Sequence, residues 1–583
     1  MNKLSNVNVQ ANNEMITSSG IEDAALVSIK SFAEGGVVNS DRDLFQKDGG
    51  TIYKYIGTVP YLVQPDSTPV GDKDWMPYSI STIAFSAVED MRNYNGNLIE
   101  GTVVVLRNWH RDLEGGGGLF KVVTGNFKDD GGVTLISNSG VIFLRIGVAN
   151  PLPAEYFGVV PKFKGDIHAM LTNAIDYGGD VKIPRGYFKS SGTFCRHKGQ
   201  RISGTGVFEK SFLTETKKTW GIITTIEFTE DVDGFDTTQN IALGGGYDHL
   251  ALIAPPNSTK VGVKDGLLHK SGNSQSIGAY NEFLYIKGFS TGYQLAGWCW
   301  EVNNFRVHTE LSREWGIHIA GSANVVHLNS CSAVTGANIA GGTEKNKRTG
   351  LRIDAGKCVV ITNFHNENNR KGMQFNGGYV TINGYYSEGA RDMDIEVTYA
   401  LDEHGKPVPN EGSLTINDGV FLHQLQGRSV AIMAVRKDYT DKAFIDIKRP
   451  LIKANNGNVL DCLLDIGNIN ATVRMTDIKN EGTFVRTYNR WHGKGAPNEM
   501  SFVDLPRYRI MRAYGRSPEL AVVVGETSSS VAPPVDLGLQ MEDGTKIAIV
   551  TEGSRVWNYH PASGIAGWDF TNAGVWVPFK FNY

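Results

Sequence analysis

Three glutamates follow alternating apolar runs at similar offsets. Glu310 comes after Phe305-Arg306-Val307, Glu367 after Val360-Ile361-Thr362-Asn363-Phe364, and Glu388 after Ile382-Asn383-Gly384-Tyr385-Tyr386. If these runs are equivalent strands of stacked coils, the three carboxylates share one corner. Adjacent strands lie about 4.8 Å apart, which predicts Glu367 and Glu388 roughly 5 to 7 Å apart on neighbouring coils and Glu310 about two coils away, at roughly 10 Å. Such a ladder suits acid/base work on glycosidic bonds: one carboxyl donates a proton while the other serves as base or nucleophile. Separations of about 5 Å suit retention and about 6.5 to 9.5 Å inversion. Two acids at one corner push their pKa values apart, as that division requires. The same pattern also has a structural meaning, because Tyr386-Ser387-Glu388-Gly389 reads equally as a turn-capping glutamate.

Around the ladder are residues suited to sugars: Trp298, Trp300, Trp315, Tyr386, Arg313, Arg370, Arg391, His365 and Asp392. Aromatic faces stack on sugar rings, and arginine grips carboxylates through two parallel hydrogen bonds. Glu310, Glu367, Glu388 and Asp392 are therefore the catalytic candidates. Arg313, Trp315, His365, Arg370, Tyr386 and Arg391 are the substrate-binding candidates. His365 and Arg370 also admit β-elimination at a uronic acid, with a basic side chain as base and a cation on the enolate. Trp298 and Trp300 read equally well as packing against a second subunit. His269 and His318 flank inward apolar positions, face outward, and have no partners at metal-ligand spacing, so no metal or other cofactor is expected.

The elements that must position these residues are written as a repeated phrase, glycine-apolar-x-apolar. It occurs at Gly266-Leu267-Leu268-His269, Gly292-Tyr293-Gln294-Leu295, Gly316-Ile317-His318-Ile319, Gly350-Leu351-Arg352-Ile353 and Gly372-Met373-Gln374-Phe375, and more weakly at Gly419-Val420-Phe421-Leu422. Second alternating runs flank most copies, as in Val325-Val326-His327-Leu328 and Val359-Val360-Ile361. Period-two alternation marks half-buried strands, and a repeat of such coils must stack to bury its inner face. This is the pattern of a parallel β-helix, running to roughly residue 470. The interval from Ala337 to Thr349, with Glu344, Lys345, Asn346, Lys347 and Arg348, interrupts the period and reads either as a groove wall or as a solvated loop.

Composition supports a chain of several domains. It has 583 residues, 68 of them glycine, a net charge of −4 and no basic stripe for nucleic acid. The five cysteines are scattered without CxxC spacing, against a disulfide framework or zinc site; Cys331 and Cys358 read as small core residues. Met1–Met15 has neither the basic region nor the apolar core of a signal peptide, and no run is long enough to span a bilayer.

Along the chain, residues 1 to about 78 read as a small β-rich module. Ile80 to Asn93 reads as a helix with Ile83, Phe85, Val88 and Met91 on one face. The four glycines Gly115–Gly118 read as a turn between strands, lacking the Lys-Ser/Thr of a phosphate loop. Asp166–Asp176 reads as an amphipathic helix with Ile167, Leu171 and Ile175 inward, suited to capping the open end of a solenoid. From about Ser501, with Trp557, Trp568 and Trp576, the character changes to a separate β-domain.

The order Phe157-Gly158, helix, Gly178-Gly179-Asp180-Val181-Lys182-Ile183-Pro184-Arg185-Gly186-Tyr187, then Gly204-Thr205-Gly206 resembles the entrance of pectate-lyase-like right-handed β-helix proteins. The usual acidic motif is absent from Val159–Gly165. The block from Val88 to Phe120 resembles the module preceding that entrance in bacteriophage tailspikes, and Asp41-Arg42-Asp43-Leu44 with Tyr53-Lys54-Tyr55 and Pro60 is similar to their virion-anchoring domains. The resemblance implies an all-β chain: a virion-attachment module (1–78), a neck (79–150), a right-handed parallel β-helix with a capping helix (151–485), and a C-terminal β-sandwich-like domain for trimerisation or carbohydrate binding (486–583). It further implies a homotrimer on a phage tail, held through its N-terminal module to the tail or another tail protein. Made in the host cytoplasm, such a protein acts at the host surface, where it cleaves capsule or O-antigen. Hydrolysis by paired carboxylates is the leading expectation; a lyase and a non-catalytic receptor-binding fibre are the alternatives.

Overall fold

The computed structural model describes residues 29–491 apart from intervals, of which 207–222, 267–275 and 336–347 are the longest; beyond 491 it describes strands only, and side chains are described as far as Lys479. The chain forms two units, residues 1–149 with 155–158, and residues 150–154 with 159–583. Among the described residues no helix is long and apolar enough to cross a membrane.

In the first unit, strands Ile29–Ser31, Leu44–Gln46, Ile52–Tyr55 and Trp75–Tyr78 form one sheet around an aromatic core in which Phe32 packs on Trp75 with ring centroids 4.8 Å apart. A second sheet contains Ile83–Phe85, Val103–Asn108, Gly116–Val123, Thr134–Ile136 and Ile142–Arg145. Two expectations change here. Ile83–Phe85 is a strand paired with 104–106, and only Val88–Arg92 is helical, begun where the Ala87 amide donates to Asp90. The alternation of Ile83 and Phe85 was strand periodicity, and the helix starts only after it. Gly116–Gly118 lie within a strand rather than a turn, with Gly118 opposite Leu106. Their carbonyls accept from the buried Arg145 guanidinium, at 3.0 Å for Gly116 and 2.7 Å for Gly117. A Cβ on Gly118 would lie 2.6 Å from Arg145 Nη1, so the glycines make room for that cation. Burial lowers the Arg145 pKa to about 10.

The second unit opens with the helix His168–Tyr177, which buries Leu171, Ala174 and Ile175. Gln200 donates to Ile175 O at 2.9 Å and Gly179 O at 2.7 Å, joining the helix end to the first coils. Beyond it, parallel strands pair coil upon coil with little offset. The fold is a parallel β-helix. Each coil presents a first face (for example 302–305), a second face (307–310) and a third face (315–319). One strand can serve two faces, because Cys299–Glu310 and Gly356–Glu367 bend at single residues in the left-handed region. Those residues align in a column: Phe283, Arg306, Ser330 and Asn363 have φ of 50–53°, Gly384 has 75°, and Asp418 and Arg449 have 55° and 51°. A bulky residue there costs about 1–2 kcal/mol, which stacking of the apolar interior must offset. That interior is stacked column by column, as with Tyr293, Ile317, Leu351, Met373 and Ile395, all fully buried.

The glycines of the repeated phrase share another column, Gly262, Gly292, Gly316, Gly350 and Gly372, where the third face meets the inner side of the second. A Cβ on Gly292 would sit 2.5 Å from Thr309 Cγ2, and one on Gly316 2.5 Å from Ala333 Cβ. The phrase therefore records a corner too narrow for a side chain. Its members differ from the expectation at both ends. The earliest is Gly262 within Val261–Asp265, not Gly266; Leu267–His269 lie outside the described residues. Val420–His423 pairs with 386–388 and so belongs to the second face. Parallel pairing continues past the expected 470, through Phe484–Trp491 to Phe502–Leu505 and Leu539–Gln540. Cys331 is buried, but Cys358 is exposed, at an outward-facing bend with φ 55°. The last described strands, from Tyr508–Ala513 to Val575–Phe579, pair mainly antiparallel.

Candidate active site

Strand register brings the acidic ladder together as its spacing predicts. Glu310 pairs with Val334, Val334 with Glu367, and Glu367 with Glu388, so two of the acids are neighbours and the third is two coils away. All project outward from the second face, since Thr309, Asn366 and Ser387 beside them point into the buried interior.

The three environments differ. Glu310 is only 8% exposed; Tyr285 Oη donates to its Oε2 at 2.5 Å and Lys287 Nζ lies 3.0 Å from Oε1. Burial, then the Glu310 charge and bond, push the Tyr285 pKa up, so its hydroxyl is a fixed donor. Both Glu310 oxygens are thus engaged inside the wall. Glu367 and Glu388 are half-buried. Tyr386 Oη donates to Glu388 Oε2 at 2.5 Å, and burial followed by this bond raises the tyrosine pKa. His365 Nε2 lies 3.4 Å from Glu367 Oε2, and its ring stands edge-on to Tyr386 with centroids 5.0 Å apart. Ligand atoms of His365, Glu367 and Glu388 lie within 4.8 Å of one another, so the same set of one imidazole and two carboxylates also suits a divalent cation.

Beneath the pair runs a buried polar network that sequence reading missed. Asn366 donates to Ser387 Oγ at 3.1 Å, Ser387 to Asp394 Oδ1 at 2.6 Å, and Asn369 to Asn366 Oδ1 at 2.7 Å. Asp394 stands in the column that is glycine on the preceding coils, and its side chain is fully buried there. Asn366 and Ser387 immediately precede the two glutamates, so these bonds fix the register that keeps the carboxylates side by side. The signal was an interruption of the apolar alternation by Asn366 and Ser387 at inward positions.

Beside Glu388 lies an open groove of about 460 Å³, lined on its polar side by Asn363, His365, Tyr386, Glu388 and Asp418, with Val420. Asn363 and Asp418 belong to the left-handed corner column, where short polar residues are favoured. The other expected site residues lie elsewhere. Arg370 is ion-paired to Asp392 in the turns between the second and third faces, and the Arg391 amide donates to Arg370 O. The Arg313 amide donates to Phe289 O in an equivalent turn. Trp315 starts a third-face strand, with the Arg352 guanidinium 4.4 Å above its ring and His318 at 4.6 Å. His318 Nε2 lies 2.7 Å from Asp354 Oδ2. Arg352 Nε donates to both Asp354 oxygens at 2.9 Å. Burial opposes ionisation of Asp354, but His318 and Arg352 outweigh it and lower its pKa. Trp300 is 40% exposed, while Trp298 and Glu344–Lys347 lie outside the described residues.

No protein-family model matches the chain. Among curated proteins, the capsule K2-specific depolymerase of Klebsiella phage vB_KpnP_KpV74 is 37% identical over 106 residues, 18% of this chain and 18% of that protein. The match thus spans under a fifth of the relative's length. Among solved structures, the enzymatically active domain of bacteriophage CBA120 tailspike protein 2 aligns with TM-score 0.46 at 12% identity, covering 69% of this chain and 62% of that one. The gp42 tailspike of Acinetobacter phage vb_AbaP_AS12 aligns with TM-score 0.47 at 10% identity, covering 81% and 74%.

Proposed function

We propose that this chain is a phage tailspike that depolymerises a bacterial surface polysaccharide by hydrolysis, using Glu367 and Glu388. The observation that carries the chemistry is the pairing of two half-buried carboxylates on adjacent coils, of which Glu388 lines an open groove. The match to a capsule-specific phage depolymerase supports the substrate class. Carboxyl oxygens within 4.8 Å of one another favour the shorter of the two glycosidase separations, and hence retention of anomeric configuration. Glu388, which accepts the Tyr386 hydroxyl, acts as the nucleophile. Glu367 protonates the leaving oxygen as the glycosidic C–O bond breaks. It then takes a proton from the water that cleaves the glycosyl ester.

Elimination requires a cation on the developing enolate, yet no lysine or arginine is among the described residues lining the groove, and Arg370 pairs with Asp392. Glu310 supports the wall and does not touch substrate. The same reading has the chain act as a homotrimer on the virion, with residues 1–78 holding it to the tail. Residues 486–583 then serve trimerisation or carbohydrate contact.

The test is incubation of purified protein with a panel of capsular polysaccharides. New reducing ends are expected, with the β or α configuration of the cleaved bond retained by NMR. Ultraviolet absorbance from unsaturated uronate would establish a lyase instead, and binding without cleavage an adhesin. Light scattering checks for the trimer.

A further inference from the structure

The groove offers acceptors and little that could hold an anion. Glu388 and Asp418 line it, and Glu367 stands next to Glu388. Three of the cations near these acids are held in ion pairs. Arg449 donates to both Asp418 oxygens at 2.8 and 2.9 Å, Lys287 lies 3.0 Å from Glu310, and Arg370 is paired with Asp392. The Tyr386 hydroxyl donates to Glu388, and His365 Nε2 lies against Glu367. Of the polar side chains lining the groove, Asn363 is exposed and brings a neutral amide.

A sugar hydroxyl can donate to carboxylates such as these, whereas a sugar carboxylate accepts only and needs donors, preferably charged ones. Placed about 5 Å from one ionised glutamate near a protein surface, a second carboxylate is disfavoured by roughly a hundredfold, reduced to about tenfold by solvent and salt in an open groove.

We propose that the sugar held in this groove is uncharged, a hexose or N-acetylhexosamine whose hydroxyls donate to Glu388 and Asp418, and not a uronic, sialic or pyruvylated residue. Acidic sugars of the polymer are then carried outside the groove. That this sugar flanks the cleaved bond rests on the hydrolytic reading above; its charge rests on the groove alone.

Two measurements separate these. In the first, a capsular polysaccharide whose repeat contains both neutral hexose and uronic acid is digested and the products are analysed by mass spectrometry. An uncharged sugar at the new reducing end is expected. A saturated uronic acid there overturns the charge proposal but leaves hydrolysis standing, and an unsaturated uronate overturns both. Absence of cleavage sinks only the hydrolytic reading, and the second measurement then decides. It compares glucose with glucuronate, and galactose with galacturonate, by ligand-observed NMR on the intact protein. Saturation transfer to the neutral sugars, at least about tenfold weaker for the uronates, supports the proposal. Transfer to the uronates at equal or greater strength, or to neither class, overturns it.

Discussion

Replacing the three ladder glutamates one at a time by glutamine separates structural from chemical roles. Glu310 is 8% exposed, accepts from Tyr285 at 2.5 Å and pairs with Lys287 at 3.0 Å, with the lysine side chain 24% exposed. Removing its charge leaves a mostly buried ammonium without this counter-charge and weakens a charge-assisted hydrogen bond. The cost is about 2–4 kcal/mol. Glu367 and Glu388 are half-buried, and an isosteric amide at either changes stability by about 0.5–1 kcal/mol. If they carry the proton transfer and nucleophilic attack, each substitution lowers kcat/KM by about 10²–10⁴-fold. Urea unfolding followed by fluorescence gives the stabilities, and release of reducing ends gives the rates. Expected is a crossed result: Glu310→Gln less stable with kcat/KM within about threefold of wild type, Glu367→Gln and Glu388→Gln stable but nearly inactive. An inactive, fully stable Glu310→Gln would refute the assignment of Glu310 to the wall. Full activity in either of the other variants would refute the proposed pair.

Three further outcomes follow from the geometry. Gly316→Ala, whose Cβ would lie 2.5 Å from Ala333 Cβ and 2.6 Å from Gly350 O, is expected to cost about 1–3 kcal/mol or more in unfolding free energy. Unchanged stability would show that the corner can widen. Asp354 has a lowered pKa, so its contribution is present above the ordinary carboxylate value and lost as pH falls through the folded value. The stability gap between wild type and Asp354→Asn should therefore be flat above about pH 5 and shrink below about pH 4, whereas a pH-independent gap would contradict the shift. Dialysis against EDTA is expected to leave cleavage intact. Loss restored by a divalent cation would instead make His365, Glu367 and Glu388 metal ligands.

Period-two alternation and the glycine phrase determined the coils, because a corner too narrow for Cβ leaves the same mark on each of several turns. Register followed from them, which is why Glu367 and Glu388 were legible as neighbours. What sequence spacing cannot carry is environment. Glu310 shares the ladder's phase, yet Tyr285 and Lys287 reach it from the preceding coil and close it off. Arg370, Asp392 and Trp315 lie close to the ladder in sequence, but coil turns send them to other partners. Asn363 and Asp418 are 55 positions apart in number, a separation that strand pairing through Gly384 reduces to one corner column. The sequence alone determined the shared columns of the central coils, from Gly292 to Gly372 and from Glu310 to Glu388, since stacking is periodic there. Tertiary structure decided which of their side chains face a groove, which face a counter-charge, and which are buried, because those depend on contacts between coils that no repeat encodes.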